Sequence, residues 1–248
     1  MIPAASLLLL CLAASPASAA DAESTVEAFV ARLSRVSLAD MTVTETFTLF
    51  SPDGLHVQTS GERRLFQKAP RRERVEETLE GRREIRVIVD GRMWVRRNDG
   101  QVYEAPPVEA QRARADLLTP FRPTAADLLR VWRALGVRDD VVHEERIGDR
   151  LVTVIGARSG DRVSPAVWLD PEYGVVRFIE REKLPAREGL VDLTLSDHRR
   201  VVSDFFYPFR QEVFLDGRLL TRVTVRSVAV NTNLPDDLFD PAVLRRAR

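Results

Sequence analysis

The chain has one cysteine, Cys11, and it lies among the first twenty residues. If that segment is removed as a leader, none remains, so a disulfide framework and a catalytic thiol are both excluded. Histidine is nearly as scarce. His56, His143 and His198 stand far apart with no HxxxH or HExxH spacing, which argues against a metal centre. No G-x-S-x-G elbow, P-loop or dinucleotide-binding glycine pattern occurs. Excess charge of one sign is missing too: 37 Lys and Arg balance 37 Asp and Glu. No global field therefore draws the chain to nucleic acid. Acidic pairs such as Glu76-Glu77, Glu144-Glu145 and Asp236-Asp237 are common on solvated loops and strands and do not define a glycosidase pair. The expectation is a protein without catalytic residues, cofactor, metal or nucleic-acid partner.

The first charged side chain after the start is Asp21. Residues 1–20 read MIPAASLLLLCLAASPASAA, a short leucine-rich run followed by the small-residue pattern Ala17-Ser18-Ala19. That is the form of a cleaved secretory signal peptide, too short to span a bilayer, and it implies an exported mature chain. Cys11 follows Leu10, where a lipidation signal needs a small residue, so no lipid anchor is expected.

What the mature chain has in abundance is short strand patterns joined by tight turns. Between Gly61 and Ala105 apolar and charged residues alternate, with Glu80-Gly81, Asp90-Gly91 and Asp99-Gly100 between them. Such pairs tolerate the positive φ of hairpin turns. Ile85, Val87 and Val89 fall on one side of their strand and Arg86 and Ile88 on the other; Leu65 opposes Arg64 and Phe66, and Val75 opposes Arg74 and Glu76. Upstream, Val43, Glu45, Phe47 and Leu49 alternate with threonines. Downstream, hairpins recur from Val141 to Val230, with turns at Gly148-Asp149 and Asp216-Gly217. Helices are few. Ser24 and Glu27 have the spacing of a capping box before Val26, Phe29, Val30, Leu33 and Val36. A charged helix is expected over Val108 to Leu118, ended by Pro120 and Pro123; a third starts at Thr124 with Asp127 and stops at Gly136. The reading is one α+β, mainly β domain over residues 21–248: a curved antiparallel sheet of about ten strands, a half-barrel with helices closing its concave side as a lid.

Several stretches resemble a known family. Leu33 to Ser37, Val43 to Phe47, Gly61 with Leu65-Phe66 ahead of Ala69-Pro70, and Ile88 to Val95 resemble, in order and spacing, the opening half of LolA-type periplasmic lipoprotein carriers. Ala166 to Pro171 with Val176-Arg177, and Val230 to Pro235 with Leu238-Phe239-Asp240, are similar to the wider lipoprotein-sorting superfamily. The resemblance implies a carrier that encloses acyl chains of a lipoprotein or free lipid in an apolar cavity and ferries them toward the outer membrane, with a membrane-bound loader or acceptor as partner. It implies a lid role for Arg74, four residues past Pro70, although Glu73 replaces the usual apolar neighbour. An RseB-type sensor regulating a membrane anti-sigma protein stays open as the alternative; such proteins add a second domain that has no counterpart here.

Candidates for the concave face are Val43, Phe47, Leu65, Val75, Trp94, Trp168, Phe178, Leu193 and Phe214, with Leu128, Trp132 and Leu135 as the inner face of the lid. The same residues suit either a filled core or a lipid cavity. Phe205 to Phe209 is either a strand end under a loop or an exposed partner patch. From Arg63 to Arg97, twelve basic residues face six acidic ones; they form either a solvated convex face or a surface for anionic headgroups. A monomer is the expected state.

Overall fold

The computed structural model describes residues 21–106, 121, 124–184 and 188–246. The expected signal peptide and the helix expected over Val108 to Leu118 both lie outside the described residues. Thirteen strands, more than the ten expected, form one antiparallel sheet. They are β1 (Asp40–Phe50), β2 (Val57–Lys68), β3 (Arg72–Leu79), β4 (Arg82–Val89), β5 (Arg92–Arg96), β6 (Val102–Ala105), β7 (Val142–Ile147), β8 (Arg150–Ile155), β9 (Ala166–Asp170), β10 (Gly174–Lys183), β11 (Glu188–Val202), β12 (Phe205–Leu215) and β13 (Arg218–Val230).

The order across the sheet is β6-β5-β4-β3-β2-β1-β13-β12-β11-β10-β9-β8-β7. Two meanders thus run outward from the central β1–β13 pair, and the sheet stays open at β6 and β7. The tight turns follow from local chemistry. Glu80-Gly81, Asp90-Gly91 and Asp216-Gly217 all have positive φ at both positions, the geometry that matches the right-handed twist of the paired strands.

Residues directly opposite in antiparallel strands share a face, so the register sorts every side chain. One face, here the inner face, carries α1 (Ala22–Ser34) and α2 (Ala125–Ala134). Val26 and Phe29 of α1 and Leu128, Leu129 and Trp132 of α2 pack with Ile155, Val167, Leu169, Phe178 and Leu193. Toward the sheet centre Met41, Val43, Phe205, Tyr207 and Val225 form a second cluster against Leu33 of α1. The aromatic run at Phe205 is therefore part of β12, with alternate residues in this core.

The helix starts follow their caps. Asp21, rather than Ser24, caps α1: its carboxylate accepts from Ser24 N at 2.7 Å. The α1 pattern begins earlier than the capping-box spacing suggested because a charged cap satisfies the same free N–H groups. At α2 the expected cap forms, with Asp127 N donating to Thr124 Oγ1 at 3.1 Å.

The outer face is covered at both ends. Beside β9, Trp168 packs with Val152, Val154, Ala166 and Ile179. Beside β2–β5, a 3-10 turn (Asp236–Phe239) and α3 (Pro241–Arg246) lie over the sheet: Leu244 joins Ile85, Val87 and Trp94, and Phe239 joins Phe66 and Leu234. The chain reaches that face because Asp40, buried, accepts from Thr232 N at 2.7 Å and Leu234 N at 3.2 Å, while Asn231 holds Ser37 and Ala39.

Candidate functional site

On the inner face of β1–β4, side chains line up in rows across the strands. Val43, Leu65 and Val75 stand opposite one another. One row along the strands, Glu45 faces Arg63, Arg63 faces Glu77 and Glu77 faces Glu84. In the next row Phe47 lies over Gly61. A Cβ at Gly61 would come within 2.4 Å of the Phe47 ring, so only glycine leaves room for the ring there. Aliphatic and charged rows thus alternate on one surface.

The charged row is an ion-pair ladder. Arg63 donates through Nε and pairs through Nη2 to Glu45 Oε1 in very short contacts, and its Nη1 lies 3.9 Å from Glu77 Oε2. Arg86, two positions from Glu84 on β4, donates from Nη2 to Glu77 Oε2 at 3.1 Å. Glu45 is 1% exposed, the Arg63 side chain 26%. Burial pushes the Glu45 carboxyl above its ordinary value, and the adjacent Arg63 opposes that shift. The neighbouring Tyr207 hydroxyl is likewise pushed up by burial and by the Glu45 charge.

The candidate residues divide between the faces. Val43, Phe47, Leu65, Val75, Phe178 and Leu193 share the inner face. Leu128 and Trp132 are buried on the inner side of α2 itself, and Leu135 packs at its end. Trp94, Trp168 and Phe214 are on the outer face, a correction to their expected place. Trp94 stands opposite Val87 beneath Leu244. Trp168 stands opposite Arg177, whose guanidinium is 4.8 Å from the indole, and its Nε1 donates to Glu145 Oε2 at 3.4 Å. Phe214 stands opposite Asp192, the ion-pair partner of Arg177.

Arg74 is also on the outer face. It is nearly buried, donates from Nε to Glu76 Oε1 at 2.7 Å, and from Nη1 to Leu238 O at 3.1 Å. It clasps the C-terminal segment, not α1 or α2. Burial raises the Glu76 carboxyl, but the bonds from Arg74 and Arg83 outweigh it and the net shift is downward.

Sequence reasoning missed the ladder of Glu45, Arg63, Glu77 and Arg86. The signal was present, since Glu45 falls in the same alternating register as Val43 and Phe47. The basic stretch from Arg63 to Arg97 does not form one face: Arg63 and Arg86 are inner, Arg74 and Arg83 outer, and each of the four pairs with a glutamate. The histidines are separate. His56 pairs with Asp53 in an exposed loop, His143 is 3.8 Å from Glu145, and His198 stacks on Tyr173. Among the described residues no group of three or more His, Cys, Asp or Glu is placed to hold a metal.

No family model and no curated protein matches the chain. Solved structures do. A crystal structure of a domain described as an outer membrane lipoprotein-sorting protein, from Vibrio parahaemolyticus, superposes with a TM-score of 0.60 at 14% identity, covering 91% of this chain and 100% of its own. A DUF1329 family protein from Desulfovibrio piger gives 0.58 at 12% identity, covering 91% and 100%. A LolA superfamily protein from Nitrosomonas europaea gives 0.54 at 13%, covering 90% and 99%. At these identities the likeness is one of fold, and 90–91% of this chain has the fold of LolA-superfamily and lipoprotein-sorting structures.

Proposed function

We propose that this protein is a periplasmic carrier that binds the acyl chains of a lipoprotein or free lipid on the inner face of its sheet and ferries them toward the outer membrane. In this reading residues 1–20 are a cleaved signal peptide and residues 21–248 one monomeric domain without catalytic residues. The sheet curls as a half-barrel, α1 and α2 act as its cover, and a membrane-bound loader or acceptor meets the loaded form.

The observation that carries the reading is the aliphatic row Val43–Leu65–Val75 on the same face as α1 and α2. That row lies in a fold shared with a domain described as lipoprotein-sorting. Each methylene removed from water contributes about 0.8 kcal/mol, so about ten of them favour uptake by roughly 8 kcal/mol, ample to hold an amphiphile in water. The test is mature protein prepared without detergent and mixed with a fluorescent monoacylglycerol. Saturable binding at one ligand per chain, followed by transfer between vesicle populations that depends on the protein, is expected. Absence of uptake would sink the carrier reading.

A further inference from the structure

Large apolar side chains stand out of the fold at one corner of the sheet. Leu55 is 78% exposed and Val57 62%, the highest values among the described large hydrophobic residues, and Leu220 is 40% exposed. The corner is built by the turn between β1 and β2 and by the first residues of β13. Val57 pairs with Phe50, and Leu49 pairs with Thr221, the neighbour of Leu220. A Cβ on Gly54 would lie 2.8 Å from Leu219 N, so the turn rests directly on β13, and Arg218 Nη1 donates to Pro52 O at 3.2 Å. The turn is tied internally as well. Gly54 N donates to Ser51 O at 2.8 Å and Ser51 N to His56 O at 2.9 Å. Asp53 accepts from Leu55 N at 2.8 Å and from Ser51 Oγ at 2.5 Å, and lies 2.7 Å from His56 Nδ1. Leu55 and Val57 are thus held outward by a turn whose polar groups bond to one another.

We infer that this corner is a membrane-docking tip, with Leu55 leading and Val57 and Leu220 following it into the interface of a zwitterionic phospholipid bilayer. Three features select a bilayer as the partner. Leu55 projects with most of its surface free, and a fluid bilayer closes around such a side chain without needing a shaped pocket. The internal hydrogen bonds of the turn matter because polar groups that lose water must be met from within. The charges also cancel: over residues 49–57 and 215–222, Asp53 and Asp216 balance Arg218 and Arg222. Headgroup charge therefore neither draws nor repels the tip, and apolar burial supplies the affinity. Docking at interfacial depth leaves Asp53 and Arg218 among the headgroups, so no charge enters hydrocarbon. The inference concerns where the protein meets a membrane and holds whatever the inner face binds.

The test is sedimentation of the mature chain with sucrose-loaded phosphatidylcholine vesicles, with and without added phosphatidylglycerol, at low and high salt. Millimolar lipid is used, the range that marginal interfacial anchors require. Binding to both vesicle types, little changed by salt, is expected. Leu55→Gln, at a site so exposed that folding is unaffected, is expected to weaken binding about tenfold or more, the scale of one leucine side chain left in water. Because residues 21–248 contain no cysteine, Leu55→Cys takes a single environment-sensitive dye. Its emission should rise when vesicles are added and be quenched by a spin label on the lipid. The same dye at Ile147→Cys, exposed on the edge strand β7, should not respond. Equal binding by wild type and Leu55→Gln, or a dye at Leu55→Cys that ignores vesicles, overturns the inference. So does binding confined to phosphatidylglycerol vesicles and abolished by salt, or binding to no vesicle. Uptake of the fluorescent monoacylglycerol is scored separately, so loss of docking leaves the carrier reading standing and loss of uptake leaves the tip standing.

Discussion

Replacing Arg63 by methionine keeps an aliphatic side chain on β2 and removes the guanidinium, which lies 5.7 Å from the Phe47 ring centroid. Glu45, 1% exposed, is then left in an apolar setting without its cation. Breaking a buried pair by removing one partner costs about 3–5 kcal/mol. Because the Arg63 side chain is 26% exposed, solvent already screens part of the pair, and about 2–4 kcal/mol is the better figure. In a chain of this size that lowers Tm by roughly 4–16 °C. The deficit also depends on pH, and its sign follows from Glu45. Its folded carboxyl titrates above the ordinary value, so the ionised form opposes folding at high pH, and the penalty is relieved as pH falls through the folded value toward about 4.3. Without Arg63 that relief begins at higher pH. Urea unfolding followed by tryptophan fluorescence should therefore show a deficit relative to wild type that is full at pH 8 and shrinks at pH 5. The double variant Glu45→Leu, Arg63→Met removes both charges and should return to within about 1 kcal/mol of wild type or exceed it. A single-variant cost below about 1 kcal/mol at pH 8, a deficit unchanged at pH 5, or a double variant no better than the single would refute the argument.

Two further outcomes test the outer face. Burial pushes the His198 imidazole down to about 4, so it is neutral in the fold while the unfolded chain protonates near 6.5. Stability is therefore lost as pH falls from about 6.5 to about 4, by up to about 3 kcal/mol, and His198→Phe, which keeps the stack on Tyr173, should flatten that part of the denaturation profile relative to wild type. Leu244→Ala should cost about 3 kcal/mol and shift tryptophan emission to the red, because Leu244 covers Trp94; an unchanged spectrum would show that α3 does not shield that face.

The elements were largely legible from sequence, and the faces were not. Turn pairs such as Asp216-Gly217 marked the hairpins because only a few residue types accept their backbone angles. Thr124 and Asp127 marked α2 because a helix start needs acceptors for its free N–H groups. Alternation fails to name the inner face when both faces are covered: Ile85, Val87 and Trp94 are as apolar as Val43, Leu65 and Val75 but lie under α3. Trp168 went astray for the same reason, with its own apolar neighbours on the outer face and a bulge at Val176 that breaks the count along β10. The lid role of Arg74 is implied only by the resemblance, whose match at four residues past Pro70 fixes the strand but not the segment packed against it. The register of Glu45 is legible in the sequence but its burial is not, since a lone charge in an alternating run looks like a solvated one until its strand partner is known.

The most direct test of acyl binding on the inner face is photocrosslinking with a monoacylglycerol carrying a diazirine at the chain end, followed by peptide mapping. Adducts on β1, β2 and β3 at or beside Val43, Leu65 and Val75, suppressed by excess unlabelled monoacylglycerol, are the predicted result. Adducts confined to the outer face around Trp94 or Trp168, or labelling that excess ligand does not suppress, would contradict it.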